Sequence, residues 1–516
     1  MQSMNLLRIT ENTILSVSKI VSIGRGKSDL IEFCNKYNSA DKICYFVSDN
    51  IREQKDIEID GRIISAGGYS CLYELAEKQD FAGLAFVIMD DYYREIYDSL
   101  CELQNLNDIN IYYYLNQENE IEFEYREKYR DAELQDIIIF RSGPHASQYV
   151  HGMDYGDNAR ALFEYMLENH INEKYELIWL VKNPEEYRCI EDGYINVHFI
   201  SWDGACSENI VLRDEYYRVL CLAKYIFMTD AYGFCRNARA DQKRIQLWHG
   251  CGFKTRVNFT RCEKRYELMP VIGHAYKRIH EDIYGLRDDQ VVVTGYPKED
   301  WLFHPVKESF SELFDTPNAK RYIMWLPTFR EAEGQLSNLN EYKIGKETGL
   351  PIVDTYDKLE KLNQLLVSGD SVIVIKLHPF QKRSVVNCQG FSNIILIENE
   401  DLDRLDIPIN RLLGKADALI SDYSSAAIDY LILDRPIGFL IEDIDQYAES
   451  RGFVFDPIRD YLPGAELYNF DDMLGFVEEI TRCIDSTKER RQQLKKQLHS
   501  FSDDKSCKRL VDYLGI

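Results

Sequence analysis

The sequence predicts an α/β protein built from doubly wound, Rossmann-like domains, two of which would leave a cleft between them. Short β-branched runs alternate with longer helical patterns along the whole chain, which is typical of parallel sheets covered by helices. At 516 residues the chain is too long for one hydrophobic core, so two or three domains are expected. The 45% hydrophobic and 28% charged residues are typical of a globular protein and exclude a fibrous or disordered chain.

The first series of elements predicts an N-terminal α/β accessory domain over residues 1–133. A charged segment without apolar periodicity, Asn116–Glu133, closes it, because such segments usually form linkers or surface helices. The string Ile23–Ser28 is similar to a nucleotide-binding loop, but it lacks the last glycine of G-x-G-x-x-G and has Val21 where a P-loop has its first glycine. We therefore favour a structural role over a nucleotide site. The predicted elements are the strands Lys19–Ile23, Ile43–Val47, Leu84–Met89 and Ile111–Leu115 and the helices Leu30–Tyr37 and Tyr93–Leu103.

The second and third series predict two further domains, over residues 134–315 and 316–516. Asp157 precedes the first helical pattern of the second series, Asn158–Glu168, and is expected to be its N-cap. A basic helix, Lys488–Leu498, and a short tail end the third series. The predicted strands are Asp136–Phe140, Leu177–Lys182, Val197–Ser201, Tyr225–Thr229, Ile245–Trp248, Met269–Ile272 and Val291–Thr294, then Tyr322–Leu326, Val372–Leu377, Asn393–Ile397, Ala418–Ser421 and Pro436–Leu440.

Charge and cysteine content narrow the class of protein. Sixty-one basic and 86 acidic residues give a net charge of −25, which excludes wholesale electrostatic binding of nucleic acid. No uncharged stretch approaches the ~20 residues that span a bilayer, and charges interrupt Asn5–Ile20 where a secretory signal would be apolar, so we expect a cytosolic protein. Thirteen cysteines without a Cys-x-x-Cys pair favour reduced thiols over disulfides or structural zinc.

Two predicted strands end in a histidine at the sheet edge where doubly wound proteins bind ligands. The strand Ile245–Trp248 runs into His249 and two glycines, and Val372–Leu377 runs into His378 and a proline. Histidine suits acid–base chemistry near neutral pH, and glycines let main-chain N–H groups approach an anion. Each histidine alone could equally be a structural residue at a tight turn. Two of them at equivalent strand ends favour the functional interpretation.

Hydroxyl and cationic side chains follow two other strands. Ala418–Ser421 leads into Ser424 and Ser425 at the start of an apolar helix, where unbonded N–H groups and the positive end of the dipole attract anions. A single serine at this position would more simply be an N-cap, but two adjacent serines favour phosphate binding over N-capping alone. Thr328 and Arg330 follow another strand, and a guanidinium suits a pyrophosphate because its bonds are bidentate. With the two histidines, these groups predict phosphoryl transfer with a nucleotide leaving group rather than redox chemistry.

In this order, the strand-end strings resemble the CDP-glycerol glycerophosphotransferase family, the polymerases and primases that build teichoic acids and related phosphopolyol polymers. The resemblance covers about residues 136–500, and its specificity comes from six ordered motifs rather than from one. The matching strings are Trp248-His249-Gly250 with Lys254, Thr294-Gly295-Tyr296-Pro297, Leu326-Pro327-Thr328-Phe329-Arg330, His378-Pro379, Ser421-Asp422-Tyr423-Ser424-Ser425 and Arg435-Pro436, with Asp157-Asn158, Tyr447–Phe453 and Leu462-Pro463-Gly464 as further similar segments.

The resemblance implies a GT-B fold, with an acceptor-side lobe over 134–315 and a donor-binding lobe over 316–516. It implies transfer of a polyol phosphate, glycerol phosphate ahead of ribitol phosphate, from a CDP-activated donor with release of CMP and without a metal or other cofactor. His249 would be the base or acceptor-orienting group, His378 would contact the pyrophosphate and assist the leaving group, and Ser424 and Ser425 would hold the donor phosphates. The other positions carried over are Asp422, Arg330 and Thr328 near the donor and Gly250, Lys254 and Arg256 on the acceptor or anion-binding side.

The acceptor is left open by a departure from the family pattern. After His249-Gly250 the family usually continues with a small hydroxyl residue, proline and leucine, whereas this chain has Cys251, Gly252 and Phe253. The acceptor would be an anionic phosphopolyol, a lipid-linked primer or a glycan. A basic segment is either a patch for that acceptor or for the cytoplasmic face of the membrane, or a solvated surface. Its cations are Arg236, Arg239, Lys243, Arg244, Lys254, Arg256, Arg261, Lys264, Arg265, Lys277 and Arg278.

Two other functions compete with polyol-phosphate transfer. A GT-B sugar transferase or a nucleotide-sugar 2-epimerase would share the fold and the phosphate-binding helix start. A non-catalytic scaffold of a polymer-synthesis complex would share the fold alone, although the presence of both His249 and His378 argues against it. The accessory domain would serve oligomerisation or acceptor choice, which leaves a homo-oligomer open.

Overall fold

The structure is a computed structural model of the chain, which divides into two compact units. The first comprises Met1–Glu133, Trp202–Leu222 and Gly233–Arg239, and the second comprises Leu134–Ser201, Ala223–Tyr232 and Ala240–Ile516. The domain boundaries expected after residues 133 and 315 stay predictions. The described residues are 7–24, 27–48, 55–59, 61–68, 84–89, 96, 110–114, 117–143, 154–229, 234–235, 238–254, 266–327, 347–377, 386, 388, 390–450 and 452–516.

The first unit contains a seven-stranded sheet in the order β1-β7-β6-β2-β3-β5-β4. Every pairing is parallel except β4 with β5, an antiparallel hairpin that the sequence analysis does not predict. The charged segment expected to be a linker or surface helix forms a helix. Apart from one helix from later in the chain, its elements are β1 (Leu7–Arg8), α1 (Glu11–Ser16), β2 (Lys19–Gly24), α2 (Lys27–Tyr37), β3 (Ile43–Val47), β4 (Lys55–Ile59), β5 (Arg62–Gly67), β6 (Leu84–Met89), β7 (Asn110–Tyr113) and α3 (Gln117–Lys128).

The second unit begins with a lobe built on a five-stranded parallel sheet, β10-β9-β8-β11-β12, and a parallel pair, β13-β14. Buried aromatic side chains fill its core, including a ring stack of Phe140 on Trp179 with centroids 5.4 Å apart. In chain order this stretch contains β8 (Gln135–Ser142), α4 (Asp157–Glu168), β9 (Glu176–Val181), α5 (Arg188–Glu191), β10 (Val197–Ser201), α6 (Ile210–Leu222), which belongs to the first unit, β11 (Ala223–Thr229), β12 (Lys243–Gln246), β13 (Met269–Val271), α7 (His274–Tyr284), β14 (Val291–Val293), α8 (Pro297–Phe303) and α9 (Phe310–Leu313).

The second lobe has a six-stranded parallel sheet in the order β17-β16-β15-β18-β19-β20. Its inner strands are apolar along their length because helices cover both faces of such a sheet; every residue of β16 is buried. The elements are β15 (Arg321–Trp325), α10 (Tyr356–Ser368), β16 (Ser371–Lys376), β17 (Ile394–Ile397), α11 (Asn399–Leu405), α12 (Ile409–Leu413), β18 (Ala418–Ser421), α13 (Ser425–Leu431), β19 (Ile437–Leu440), α14 (Ile444–Ser450), β20 (Ala465–Leu467), α15 (Phe470–Thr481), α16 (Lys488–Leu498) and α17 (Ser506–Leu514).

The C-terminal segment returns to the first of these two lobes. The sequence predicts a short tail after α16. In the structure, residues 506–514 form α17, whose Leu510 and Val511 belong to the same hydrophobic core as Phe140. The carboxylate of Asp300 accepts hydrogen bonds from the main-chain N–H groups of Ser506 and Cys507, at 2.8 and 2.9 Å, and so caps α17. The last helix therefore completes the core of a lobe whose strands lie some three hundred residues earlier.

Two local expectations are wrong. Gly156, not Asp157, is the N-cap of α4; Asp157 is the first helical residue and has a φ of +54°. The strand expected over Ile245–Trp248 ends at Gln246, because Trp248 turns into the left-handed region with a φ of +55°. Among the described residues, no helix is long and apolar enough to cross a bilayer.

Candidate active site

The loop after β12 carries the first predicted histidine. His249 is exposed, and its ring stacks on the ring of Trp248, with centroids 4.5 Å apart and planes 30° apart. The indole of Trp248 in turn packs edge-on against Tyr284, at 4.9 Å. The left-handed main chain at Trp248 turns the following residues away from the sheet. A strand end and an aromatic stack thus present one imidazole to solvent.

Asn158 holds the base of this loop. Its side chain is fully buried in α4, and its amide donates to the main-chain carbonyls of Leu247 at 3.2 Å and Trp248 at 2.9 Å. Its carbonyl oxygen accepts from the main-chain N–H of Lys298 at 3.1 Å. One amide therefore ties the start of α4, the histidine loop and the start of α8 together. The string Asp157-Asn158 is similar to the family's, but no local pattern predicts the contacts that Asn158 makes.

Lys298 holds the next carbonyl of the loop. Its ammonium donates to the main-chain oxygen of His249 at 2.5 Å and lies 3.3 Å from the carboxylate of Asp429 and 3.5 Å from that of Asp157. Burial lowers the pKa of Lys298, but the carboxylates of Asp157 and Asp429 outweigh it and raise the pKa above its ordinary value. The side chain is therefore a buried cation at neutral pH. No sequence motif singles out Lys298, although it directly follows Pro297 of the Thr294-Gly295-Tyr296-Pro297 string.

Gly250 brings the histidine loop against the predicted serines. A Cβ built on Gly250 would lie 2.7 Å from the Oγ of Ser425 and 2.8 Å from its Cβ, and the φ of Gly250 is +141°. The main chain can approach Ser425 this closely only without a side chain. Ser424 is the N-cap of α13, and its Oγ accepts from the main-chain N–H of Ala426 at 3.4 Å. The structure thus places Ser425, from the second lobe, in contact range of the loop of His249.

A buried polar layer lies behind the loop. Cys251 is buried, with its thiol 3.3 Å from the hydroxyl of Tyr296 and 3.7 Å from the Nε2 of His280. Burial and the nearby His249 lower the pKa of His280 to about 3, so its imidazole is neutral. Burial raises the pKa of the Cys251 thiol and opposes formation of the thiolate. Cys251 therefore packs inside the lobe instead of presenting a reactive group.

The end of the loop joins the second lobe. The main-chain oxygen of Phe253 accepts from the N–H of Val454 at 2.8 Å, and Lys254 pairs with Phe453 in an antiparallel bridge. The ammonium of Lys254 lies 5.9 Å from the ring centroid of Tyr447. This residue, expected on the acceptor or anion-binding side, thus lies near an aromatic side chain of the second lobe.

The remaining predicted positions divide into buried and undescribed ones. Asp422 is almost fully buried at the end of β18. Several cations of the basic segment have protein partners: Arg244 pairs with Glu267 at 2.7 Å, Lys277 pairs with Asp288 at 2.8 Å, and Arg239 donates to main-chain oxygens of the first unit. His378, Thr328, Arg330 and Arg256 lie outside the described residues.

A cavity of about 540 Å³ opens beside Lys298, lined by residues of both lobes of the second unit. Arg160 lines it and pairs with Asp406 at 2.7 Å. Lys376, two positions before His378, also lines it and donates to the side chain of Asn399. Burial lowers the pKa of Lys376 to about 8. The lining thus combines three cations, Arg160, Lys298 and Lys376, with four carboxylates, Asp157, Glu186, Asp403 and Asp406.

Comparison with known sequences identifies the family. Residues 138–515 match the sequence model described as CDP-Glycerol:Poly(glycerophosphate) glycerophosphotransferase. The chain belongs to this family. The resemblance stated from the strand-end motifs is confirmed, and the match covers most of the chain.

Relatives of the chain are named as enzymes of teichoic acid synthesis. The teichoic acid ribitol-phosphate polymerase TarK of Staphylococcus aureus is 27% identical over 52% of this chain and 52% of its own length. The teichoic acid poly(glycerol phosphate) polymerase of Staphylococcus epidermidis is 24% identical over 68% of this chain and 46% of its own. The teichoic acid glycerol-phosphate transferase of Staphylococcus aureus is 22% identical over 70% of this chain and 90% of its own. The chain spans about half the length of the two polymerases.

A solved structure shares the fold. The wall teichoic acid polymerase TagF matches with a TM-score of 0.56 and 19% identity over 82% of this chain and 96% of that chain. At this identity the likeness concerns the fold alone. The predicted GT-B fold, with two Rossmann-like lobes, is confirmed, and the additional N-terminal sheet of the chain is Rossmann-like as expected.

Proposed function

We propose that the protein transfers a polyol phosphate from a CDP-activated donor to a hydroxyl of a teichoic-acid-like or capsular acceptor and releases CMP. Family membership supports this proposal, because the family is described by transfer from CDP-glycerol to poly(glycerophosphate). The observation that carries it is the contact between the two lobes at Gly250 and Ser425. There an exposed histidine and a hydroxyl-bearing helix start, the two parts that the reaction needs, lie on adjacent segments.

The proposed reaction is an in-line displacement at the β-phosphorus of the donor. An acceptor hydroxyl gives its proton to His249 as its oxygen bonds to that phosphorus. The bond from the β-phosphorus to the bridging oxygen breaks, and CMP leaves with the electron pair. In our proposal His378 contacts the pyrophosphate and assists this departure, and Ser424 and Ser425 hold the donor phosphates. Such a transfer has little covalent work for the protein, so positioning and electrostatic stabilisation supply most of the catalysis.

We propose that the reaction needs no metal cofactor, since lysine, arginine and N–H groups can neutralise a diphosphate. Incubation with EDTA should leave CMP release within twofold of the untreated enzyme, and recovery of a lost rate by added Mg²⁺ would contradict the proposal.

We further propose that the protein works in the cytoplasm, where it meets the acceptor at the inner face of the membrane. Sedimentation with vesicles that carry a phosphopolyol lipid, against vesicles without it, tests this location.

The deciding experiment follows CMP release from CDP-glycerol and CDP-ribitol in parallel, with and without a phosphopolyol acceptor. We expect release that depends on acceptor and that is lost in His249→Ala. Turnover of a UDP-sugar instead would favour the sugar transferase or 2-epimerase. No turnover of any donor by a folded wild-type protein would favour the scaffold.

A further inference from the structure

Lys298 is the cation around which the histidine loop and both lobes meet. It lies in the first turn of α8, 9% exposed, and its ammonium contacts the main-chain oxygen of His249, Asp157 of the same lobe and Asp429 of the other lobe. Asp429 is 3% exposed and belongs to α13, the helix that begins at Ser425. One side chain therefore connects the predicted base to the predicted donor-binding helix.

The ammonium of Lys298 compensates the negative charge of two nearby carboxylates, those of Asp157 and Asp429. Two carboxylates face one cation, and Oδ1 of Asp429 has no hydrogen-bond partner among the described residues. A buried carboxylate without a cation is costly, and two of them repel each other. Loss of the ammonium alone would thus disturb both charge balance and geometry, and the two effects must be separated.

The bond to His249 is one of a set on consecutive residues. Asn158 holds the carbonyls of Leu247 and Trp248, and Lys298 holds the carbonyl of His249 itself. The next residue, Gly250, has no side chain to restrain it. The ammonium of Lys298 therefore restrains the peptide that carries the imidazole, directly before Gly250.

We propose that Lys298 is a positioning residue for the transfer reaction: through its bonds to the His249 carbonyl and to Asp429, it places the base relative to the donor-binding lobe. This inference rests on the proposed function. A misplacement of about 1 Å can cost on the order of a hundredfold in rate. Loss of this restraint should therefore lower kcat strongly and leave the KM for the donor nearly unchanged, because Ser424 and Ser425 and the other cations of the cavity, Arg160 and Lys376, stay in place.

The test compares Asp429→Asn with the double variant Lys298→Met/Asp429→Asn. Both variants lack the charge of Asp429. The double variant therefore does not carry the second buried carboxylate without a cation that Lys298→Met alone would leave. We expect a Tm of the double variant within a few degrees of that of Asp429→Asn, a kcat at least tenfold lower and a donor KM within threefold. Lys320→Met, at an exposed lysine paired with Asp370, is the matched control and should keep the wild-type kcat.

A ratio of kcat below ten between Asp429→Asn and a folded double variant overturns the inference. If the double variant does not fold, Lys298→Met/Asp429→Leu, which replaces the pair by apolar groups, takes its place under the same criterion. Absence of CMP release by the wild-type protein with either donor would instead overturn the proposed function and this inference with it. The two failures are thus distinguishable.

Discussion

Gly250 shows how one residue without a side chain sets the distance between the lobes. Gly250→Ala would place a methyl group within 2.8 Å of Ser425 at a φ of +141°. We expect a loss of about 1–3 kcal/mol in the free energy of unfolding and a lower kcat, since the histidine loop must move. Urea unfolding and CMP release measure both.

A second glycine provides the control for this prediction. Gly475 lies exposed in α15, and a Cβ there would meet nothing within 4 Å. Gly475→Ala should raise the free energy of unfolding by about 0.5–1 kcal/mol, because alanine favours the helix, and should leave kcat unchanged. Equal behaviour of the two variants would show that Gly250 is not in close contact with Ser425.

Substitution of His249 tests the base. We expect His249→Ala to lower kcat by about 10²–10⁴, the usual contribution of a general base, and to leave the Tm within a few degrees, because the ring is exposed. Steady-state CMP release and differential scanning calorimetry are the measurements. A variant that keeps its kcat would remove His249 from the mechanism.

Two buried titratable groups give opposite pH dependences of stability. Burial and His249 lower the pKa of His280 to about 3, so the unfolded chain takes up a proton below pH 6.5 that the folded chain does not. Burial and Asp429 raise the pKa of Glu299, so the folded chain keeps a proton that the unfolded chain loses above pH 4.5. The wild type should therefore lose stability relative to His280→Leu as pH falls from 6 to 5, at up to about 1.4 kcal/mol per pH unit.

Glu299→Gln should show the reverse trend: the wild type should lose stability relative to this variant as pH rises from 5 to 7. Urea unfolding at pH 5, 6 and 7 determines both differences. If the differences in free energy of unfolding between the wild type and the two variants do not change with pH, neither group has the stated pKa shift.

At the same scale, the sequence predicted the residues that end strands better than those that support them. His249 and Ser425 each follow the end of a buried strand, at Gln246 and Ser421, within a few residues, which is a local pattern. Lys298 and Asn158 matter through contacts with residues far along the chain, at His249, Asp429 and Leu247, and no local pattern reports such contacts.

At the scale of elements, α17 is held to the first lobe by core contacts. Leu510 is fully buried there, whereas Tyr513 of the same helix is 57% exposed. We expect Leu510→Ala to cost about 3 kcal/mol, as cavity-forming substitutions do, and Tyr513→Ala to stay within about 0.5 kcal/mol of the wild type. Chemical unfolding of both variants decides, and similar losses would place α17 outside the core.

The parallel strands were predictable because their burial leaves continuous apolar runs; Ile43–Val47, Leu84–Met89, Val197–Ser201 and Ala418–Ser421 have the expected bounds. The hairpin of β4 and β5 was not, since neither strand is a continuous buried apolar run: β4 carries three charged residues, and β5 begins with two exposed residues. The helix α17 was missed because a short amphipathic segment gains its stability from a distant core, not from its own propensity. The predicted helix Tyr93–Leu103 lies, except for Ile96, outside the described residues.

At the scale of the whole molecule, the GT-B pair and the additional Rossmann-like sheet follow from the alternation of strands and helices. What the alternation does not determine is which segments cross between structural units. Trp202–Leu222, between two strands of the second unit, belongs to the first unit, and α17 belongs to a lobe that begins at Gln135. The unit to which such a segment belongs depends on tertiary packing, which the alternation of strands and helices does not reveal.

The location of α17 has a consequence for the synthesis of the protein. Strands β8–β12 leave the ribosome long before residues 506–514, so the lobe that carries His249 lacks its final helix while the second lobe is translated. The apolar surface that Leu510 and Val511 bury stays uncovered throughout that interval and is a binding site for chaperones. Chains truncated before residue 506 should accordingly be captured by a holdase chaperone, and the full-length chain, once released from the ribosome, should not.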